Sequence, residues 1–132
     1  MRVFLDTNVL VSAFTARGLC SDVLRTVLTE HELIVGPAVI DELRRVLKRF
    51  GLPRAQIEEI IGFLDSYVTD RDPASARLPA VRDPDDARIL AEAVGAGAEV
   101  LVSGDKDLIV VAGKAPIAIL SPRGFWESAR KR

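Results

Sequence analysis

Residues 2–11 read RVFLDTNVLV, and this stretch decides the fold that is expected for the whole chain. RVFLD contains a continuous run of bulky apolar residues, which is typical of a short buried strand. NVLVSAFTA, which begins at Asn8, predicts a helix. Asp6 therefore stands where a strand ends and a helix begins. Asp6, Thr7 or Asn8 can cap that helix, or the carboxylate can belong to a functional site.

Strands and helices continue to alternate along the rest of the chain. Further strands are predicted in ELIVGP (32–37), AEVLVSGD (98–105) and KAPIAILSP (114–122). Further helices are predicted over 21–31, 37–51, 53–68, 85–97 and 122–132, with Ser21 or Asp22 capping the first of them and one long irregular stretch at 69–84. This pattern indicates a single α/β domain over 1–132, a three-layer α/β/α sandwich with a central parallel sheet.

The composition excludes several classes of protein. Hydrophobic residues make up 48% of the chain and charged residues 28%, so it can bury a core and resembles neither a disordered tail nor a membrane protein. Aromatic residues, at 5%, are too few for the base-stacking surfaces of single-strand binders. Asp6 interrupts the early apolar stretch, so no signal peptide is expected, and the single Cys20 suits a reducing cytoplasm.

Acidic residues follow the predicted strands and open the predicted helices at one edge of the sheet. Asp6 and Asp105 each end a strand that is expected to be central, and Glu42 lies near the start of the helix after ELIVGP. Asp83 and Asp86 lie three residues apart at the start of another helix. Because sites in open parallel sheets form beyond the carboxyl ends of the strands, these acids are expected to converge.

Each acid also has a purely structural interpretation. Asp83 is a good N-cap before a proline, and Asp86 can complete a capping-box-like pair with it. Glu42 can be a solvated acid in a first helical turn, and Asp105 and Asp107 in SGDKD can be turn residues. What favours a site is the joint placement of acids at four separate places in the chain.

A set of oxygen ligands without histidine or cysteine selects hard cations such as Mg²⁺ or Mn²⁺. Two carboxylates at one sheet edge repel each other, and a bound cation relieves that repulsion. Paired divalent ions are the usual device for in-line attack of water on a phosphodiester, and they need no protein nucleophile. The acids therefore favour a metal-dependent hydrolase.

Four segments in order resemble the motifs of the PIN domain family: FLDTNVLVSAF, VIDELRRVL, DPDDARILAEA and VLVSGDKDLI. The resemblance spans Arg2 to about Trp126 and is closest to the toxin components of bacterial and archaeal toxin–antitoxin pairs, which are similar to VapC ribonucleases. It implies an α/β/α sandwich and Mg²⁺- or Mn²⁺-dependent cleavage of RNA. It also implies a cognate antitoxin, and the family often forms homodimers.

The resemblance assigns roles to individual residues. Four acids match the catalytic metal ligands of the family, for one or two ions: Asp6, Glu42, Asp86 and Asp105. Asn8 and Ser103 resemble the small polar residues that orient these carboxylates or a metal-bound water. Two further roles stay open, Asp107 as a direct or water-mediated ligand and Asp83 as a supporting residue or only a cap.

Basic residues provide a modest surface for phosphates. Without the four acids, the net charge of −1 becomes +3. The candidates for RNA binding are Arg44, Arg45, Lys48 and Lys106, in a wider set that also includes Arg49, Arg82 and Arg88. A solvated helix face is an equally good interpretation for each of them.

Two other classes of function compete with a cytoplasmic ribonuclease toxin. Phosphoryl transfer through an aspartyl-phosphate usually needs a second acid two residues after the nucleophile, and Asn8 stands at that position. The main alternative is a non-catalytic PIN-fold binding or scaffold module. Retention of all four acids argues against that module.

Overall fold

The computed structural model describes residues 1–69 and 78–130. Its strands are β1 (Arg2–Leu5), β2 (Glu32–Ile34), β3 (Val100–Val102) and β4 (Ala118–Leu120). Its α-helices are α1 (Thr7–Thr15), α2 (Leu19–Glu30), α3 (Pro37–Arg49), α4 (Arg54–Asp65), α5 (Pro84–Gly95), α6 (Lys106–Ile109) and α7 (Pro122–Arg130). A short 3₁₀ helix (Ala112–Lys114) precedes β4.

The four strands form one parallel sheet in the order β2-β1-β3-β4. Phe4 pairs with Ile34 of β2 on one side and with Leu101 of β3 on the other. The prediction that the strands carrying Asp6 and Asp105 are central is therefore confirmed. Since all four strands run in the same direction, their carboxyl ends meet at one edge of the sheet.

Helices cover the sheet, which explains why its central strands are apolar throughout. Val3, Phe4 and Leu5 are each fully buried, and all three residues of β3 are buried as well. Because successive strand residues point to opposite faces, such runs require that both faces are covered. The predicted α/β/α sandwich with a central parallel sheet is confirmed.

The structure corrects two local predictions. Helix α2 begins at Leu19 with Gly18 as its N-cap, and Ser21 lies at the third helical position, where its hydroxyl exchanges hydrogen bonds with Gly18 at 2.9 and 3.1 Å. The predicted cap at Ser21 or Asp22 is therefore wrong. The segment SGDKD opens the short helix α6, which was not predicted.

Part of the predicted irregular stretch, residues 70–77, lies outside the described residues. In the ranges that are described, no helix combines the length and the apolar character that crossing a membrane requires.

Candidate functional site

Asp6 lies at the carboxyl end of β1, where α1 begins. Its backbone N–H donates to the carbonyl oxygen of Val102 in β3 at 3.0 Å, so the sheet still holds this residue. Asp6 Oδ1 accepts a hydrogen bond from the Thr7 N–H at 2.7 Å, and Oδ2 accepts one from the Ser103 hydroxyl at 2.7 Å. Asp6 therefore caps α1 and also presents a fixed carboxylate at the edge of the sheet.

Ser103 links this carboxylate to a second acid, which follows β3. The Ser103 side chain is fully buried, and its hydroxyl accepts a hydrogen bond from the Asp105 N–H at 3.0 Å while donating to Asp6. Asp105 caps α6, because its Oδ1 accepts from the Asp107 N–H at 2.8 Å. One hydroxyl thus fixes the two strand ends that carry Asp6 and Asp105 relative to each other.

The start of α5 contributes two acids with different surroundings. Asp83 is the N-cap, and its Oδ1 accepts from the Asp85 N–H at 2.8 Å. Asp86 is only 9% exposed, and its buried Oδ2 has no hydrogen-bond partner within the described ranges. Since a buried polar atom without a partner is unfavourable, this oxygen marks a position where a ligand would be stabilising.

Burial and mutual repulsion raise the pKa of two carboxyl groups at this edge, those of Asp6 and Asp86. Burial is the main cause of the raised pKa of Asp6, the Glu42 and Asp105 carboxylates raise it further, and its two hydrogen bonds oppose the shift. Burial also raises the pKa of Asp86 to about 7, and the neighbouring Asp105 carboxyl adds to the shift. These two shifts indicate that the negative charges of Asp6 and Asp86 are poorly compensated in the metal-free protein.

The acids line one cleft of about 590 Å³. Glu42 reaches it from the second turn of α3, so the ends of two strands and two helices contribute. The interpretation of Glu42 as an acid of the first helical turn is therefore wrong. The acidic lining consists of Asp6, Glu42, Asp83, Asp85, Asp86 and Asp105. The four acids that were predicted to converge therefore lie around a single cleft.

Asp107 lies beside this cleft and is engaged elsewhere. Its carboxylate accepts hydrogen bonds from Arg82, from Nε at 3.0 Å and from Nη2 at 3.2 Å. Asp107 is nevertheless close to two acids of the cleft. Three carboxylate oxygens, one each from Asp83, Asp86 and Asp107, lie within 4.8 Å of one another. This compact group contains one of the four predicted ligands, Asp86, and the two acids whose roles the sequence left open, Asp83 and Asp107.

The donor set fits a hard divalent cation. The cleft offers carboxylate oxygens from several elements, while the single histidine, His31, and the single cysteine, Cys20, lie outside its lining. Oxygen-only ligands suit Mg²⁺ or Mn²⁺. Such an ion would offset the repulsion among the acids and could meet the unpartnered oxygen of Asp86.

Basic residues line the cleft on the side of α3. Arg45, Lys48 and Arg49 contribute to its wall, and Asn8 at the start of α1 lies there as well. Two other predicted RNA-binding residues lie elsewhere. The guanidinium of Arg44 pairs with Glu58 of α4, and Lys106 is exposed at the start of α6 without lining the cleft.

Sequence reasoning missed one acid of the cleft. Asp85 lies at the second position of α5 and lines the cleft next to Asp83 and Asp86. The signal was present in the run DPDD, where three acids open a helix at the carboxyl edge of the sheet.

Comparisons with known proteins agree with this architecture. The sequence model of the PIN domain family matches residues 2–107 of this chain. No curated protein sequence matches the chain at a significant level. The solved structure of VapBC2 from Rickettsia felis bound to a DNA fragment from their promoter is similar, with a TM-score of 0.62 at 17% identity over 91% of this chain and 97% of that chain. VapBC-1 from nontypeable Haemophilus influenzae gives a TM-score of 0.63 at 18% identity, over 93% of this chain and 99% of that chain. FitAcB from Neisseria gonorrhoeae gives a TM-score of 0.57 at 16% identity, over 92% of this chain and 98% of that chain.

With its family motifs spread over most of its length and its acids gathered at one edge of a parallel sheet, the chain belongs to the PIN domain family.

Proposed function

We propose that this protein is a Mg²⁺- or Mn²⁺-dependent endoribonuclease that hydrolyses phosphodiester bonds of RNA. The observation that carries the proposal is the convergence of carboxylates from β1, β3, α3 and α5 on one cleft. The buried Oδ2 of Asp86 supports a cation there, since this oxygen has no hydrogen-bond partner in the described residues.

The acids have complementary tasks in the proposed reaction. Asp6, which Thr7 and Ser103 hold in place, keeps free lone pairs on both oxygens and serves as a fixed ligand. Glu42, Asp86 and Asp105 complete the ligand set for one or two ions. A bound Mg²⁺ or Mn²⁺ supplies the positive charge that activates water for attack on the phosphodiester and stabilises the leaving oxygen.

The basic wall of the cleft suits a phosphate backbone. Arg45 and Arg49 lie four residues apart, on one face of α3, and both line the cleft together with Lys48. Cations beside the acids can position neighbouring phosphates without reading the base sequence. Arg44 is the weaker candidate, because Glu58 already pairs with it.

The proposed toxin role is supported by the resemblance to VapC-like proteins and by the similar folds of the VapBC and FitAcB structures. In this proposal the chain is a cytoplasmic toxin, a cognate antitoxin silences it, and a homodimer is its expected assembly. Growth arrest in cells that express the wild-type protein, and normal growth in cells that express Asp6→Asn instead, would support the toxin role. Growth that is unaffected by the active nuclease would contradict it.

The reaction itself is tested with purified protein and a labelled, partly structured RNA. Cleavage is expected with Mg²⁺ or Mn²⁺ and not with chelator, and Asp6→Asn is expected to reduce it more than about a hundredfold, since the asparagine can still cap α1 but loses the ligand charge. Asp41→Asn is the matched control, because Asp41 is an exposed acid on α3 that does not line the cleft.

The outcomes separate the competing functions. Cleavage at the wild-type rate in Asp6→Asn, or in the presence of chelator, would contradict the proposed chemistry. A wild-type protein that neither cleaves RNA nor binds Mn²⁺ would favour the non-catalytic scaffold.

A further inference from the structure

A second buried carboxylate lies on α5, away from the lining of the cleft. Glu92 is 9% exposed, and its two carboxylate oxygens lie 3.0 and 3.1 Å from the backbone nitrogen of Ala38, which donates to them from the first turn of α3. The contact joins residues that are 54 positions apart in the sequence. It therefore ties two helices that are separate in the chain.

The start of α3 needs an external partner at this position. Gly36 is the N-cap and has no side chain to offer, and Pro37 has no N–H. The N–H groups of Val39 and Ile40 both donate to the Gly36 carbonyl oxygen, at 3.1 and 3.2 Å. The N–H of Ala38 is the one that Glu92 satisfies.

The glycine at position 36 leaves the room that this contact requires. A Cβ atom there would overlap Glu92 Oε1 and would lie 2.9 Å from Phe4 Cζ. The motif GPA thus forgoes a side-chain cap of its own and accepts one from α5. A carboxylate at this place also interacts favourably with the positive end of the helix dipole.

Each partner in the contact is close to an acid of the cleft. Glu42 follows Ala38 by four residues, about one turn of α3, and Glu92 follows Asp86 by fewer than two turns of α5. We propose that Glu92 is a positioning residue, which caps α3 and thereby holds Glu42 in place relative to Asp86. This inference rests on the proposed function in one respect, namely that Glu42 and Asp86 bind the same Mg²⁺ or Mn²⁺ ion.

Other charges near Glu92 do not explain the contact. Arg88 Nε lies 3.8 Å from Glu92 Oε2, and the Arg88 side chain is 60% exposed. An ion pair of this kind contributes little because solvent screens it. The geometry of Glu92 is therefore set by the backbone of α3.

The first test measures amide hydrogen exchange in the metal-free protein. Glu92→Ala should speed exchange over residues 38–42 about tenfold or more, because the first turn loses its cap. Glu92→Gln should fall between Glu92→Ala and the wild type, because its carbonyl oxygen can still accept from Ala38.

The second test measures Mn²⁺ affinity. If Glu92 positions Glu42, Glu92→Ala should weaken Mn²⁺ binding about tenfold, and Glu92→Gln should restore part of the loss. The control is Val27→Ala, which removes fully buried atoms from α2, a different helix, and lowers overall stability without changing a residue of α3 or α5. This control should leave both the exchange at 38–42 and the Mn²⁺ affinity close to wild type.

The two tests fail in different ways. Wild-type exchange over 38–42 in Glu92→Ala, or a loss of Mn²⁺ affinity no larger than in Val27→Ala, would overturn the positioning role. If the wild type binds no Mn²⁺, the proposed function fails, and wild-type exchange in Glu92→Ala would then still overturn the cap that the positioning role requires.

Discussion

Two positions on α5 each bury a carboxylate to the same extent, in opposite surroundings. Asp86, in the first turn, and Glu92, farther along the helix, are each 9% exposed. Glu92 accepts from the Ala38 N–H with both oxygens. Asp86 faces other carboxylates, and its Oδ2 has no partner within the described residues.

The difference shows what each acid does for the folded protein. Burial raises the pKa of both groups. At Glu92 the Ala38 N–H and Arg88 oppose the shift and Asp41 adds to it, whereas at Asp86 the carboxyl groups of Asp105, Asp6 and Asp83 all increase it. An acid with its donors in place stabilises the fold, and one surrounded by like charge does so only when a proton or a cation neutralises it. Equal burial therefore does not mean an equal role.

The largest expected difference between the two acids is in RNA cleavage. Asp86→Asn should reduce the rate more than about a hundredfold, because it removes a proposed ligand, whereas Glu92→Gln should reduce it only several-fold, because it preserves an acceptor for Ala38. The measurement is the initial rate of cleavage at saturating Mn²⁺. Similar losses in both variants would show that the two carboxylates do not divide their roles as their surroundings indicate.

In the metal-free protein, the substitution at Glu92 should lower stability more than the substitution at Asp86, which is the opposite of their expected order in RNA cleavage. Glu92→Ala should lower the free energy of unfolding by about 2 kcal/mol, because it leaves the buried Ala38 N–H without its acceptor. Asp86→Asn should leave this free energy unchanged or raise it by up to about 1 kcal/mol near neutral pH, because it removes a repelled charge. Urea unfolding of both variants with chelator present measures the difference, and a larger loss in Asp86→Asn than in Glu92→Ala would refute it.

Much of the fold and the cleft could be predicted from local patterns. The apolar runs of β1 and β3 predict buried parallel strands, and the topology of such a sheet brings residues that follow them, such as Asp6 and Asp105, to one edge. The helix that starts with Asp83 also follows from local chemistry, because an aspartate before a proline is a favourable N-cap. These features depend on the period of the sequence and on the direction of the chain.

The contact between Glu92 and Ala38 could not be predicted in this way. It depends on how two helices pack across 54 residues of sequence, and a glutamate in the middle of an amphipathic helix gives no local sign of a buried partner. The short helix α6 escaped prediction for a different reason, since its four residues carry too little periodicity to outweigh the turn character of SGDKD. The weak sign of a missing cap was the segment GPA, which begins α3 without a polar side chain.

The smallest expected effect is the pH dependence of stability, and it distinguishes the two acids of α5 most directly. The pKa of Asp86 is about 7 in the folded protein and near 3.8 when the chain is unfolded, so the folded state holds a proton that the unfolded state has already released. The stability that this proton contributes is fully present below pH 3.8 and is lost as the pH rises through 7. The free energy of unfolding of the metal-free protein should therefore fall by about 1 kcal/mol between about pH 5 and about pH 8, less than the full shift because the cleft is open to water.

The same titration in Asp86→Asn should give a flatter curve, whereas Glu92→Gln should keep most of the wild-type slope. Saturating Mn²⁺ should reverse the trend, since metal competes with protons for the acids and its stabilisation grows as they ionise. Melting temperatures across this pH range, with chelator and with Mn²⁺, provide the measurement. A different result would reverse the comparison between Asp86 and Glu92. If the dependence of stability on pH persists in Asp86→Asn and disappears in Glu92→Gln, the poorly compensated charge is that of Glu92, although Ala38 donates to it.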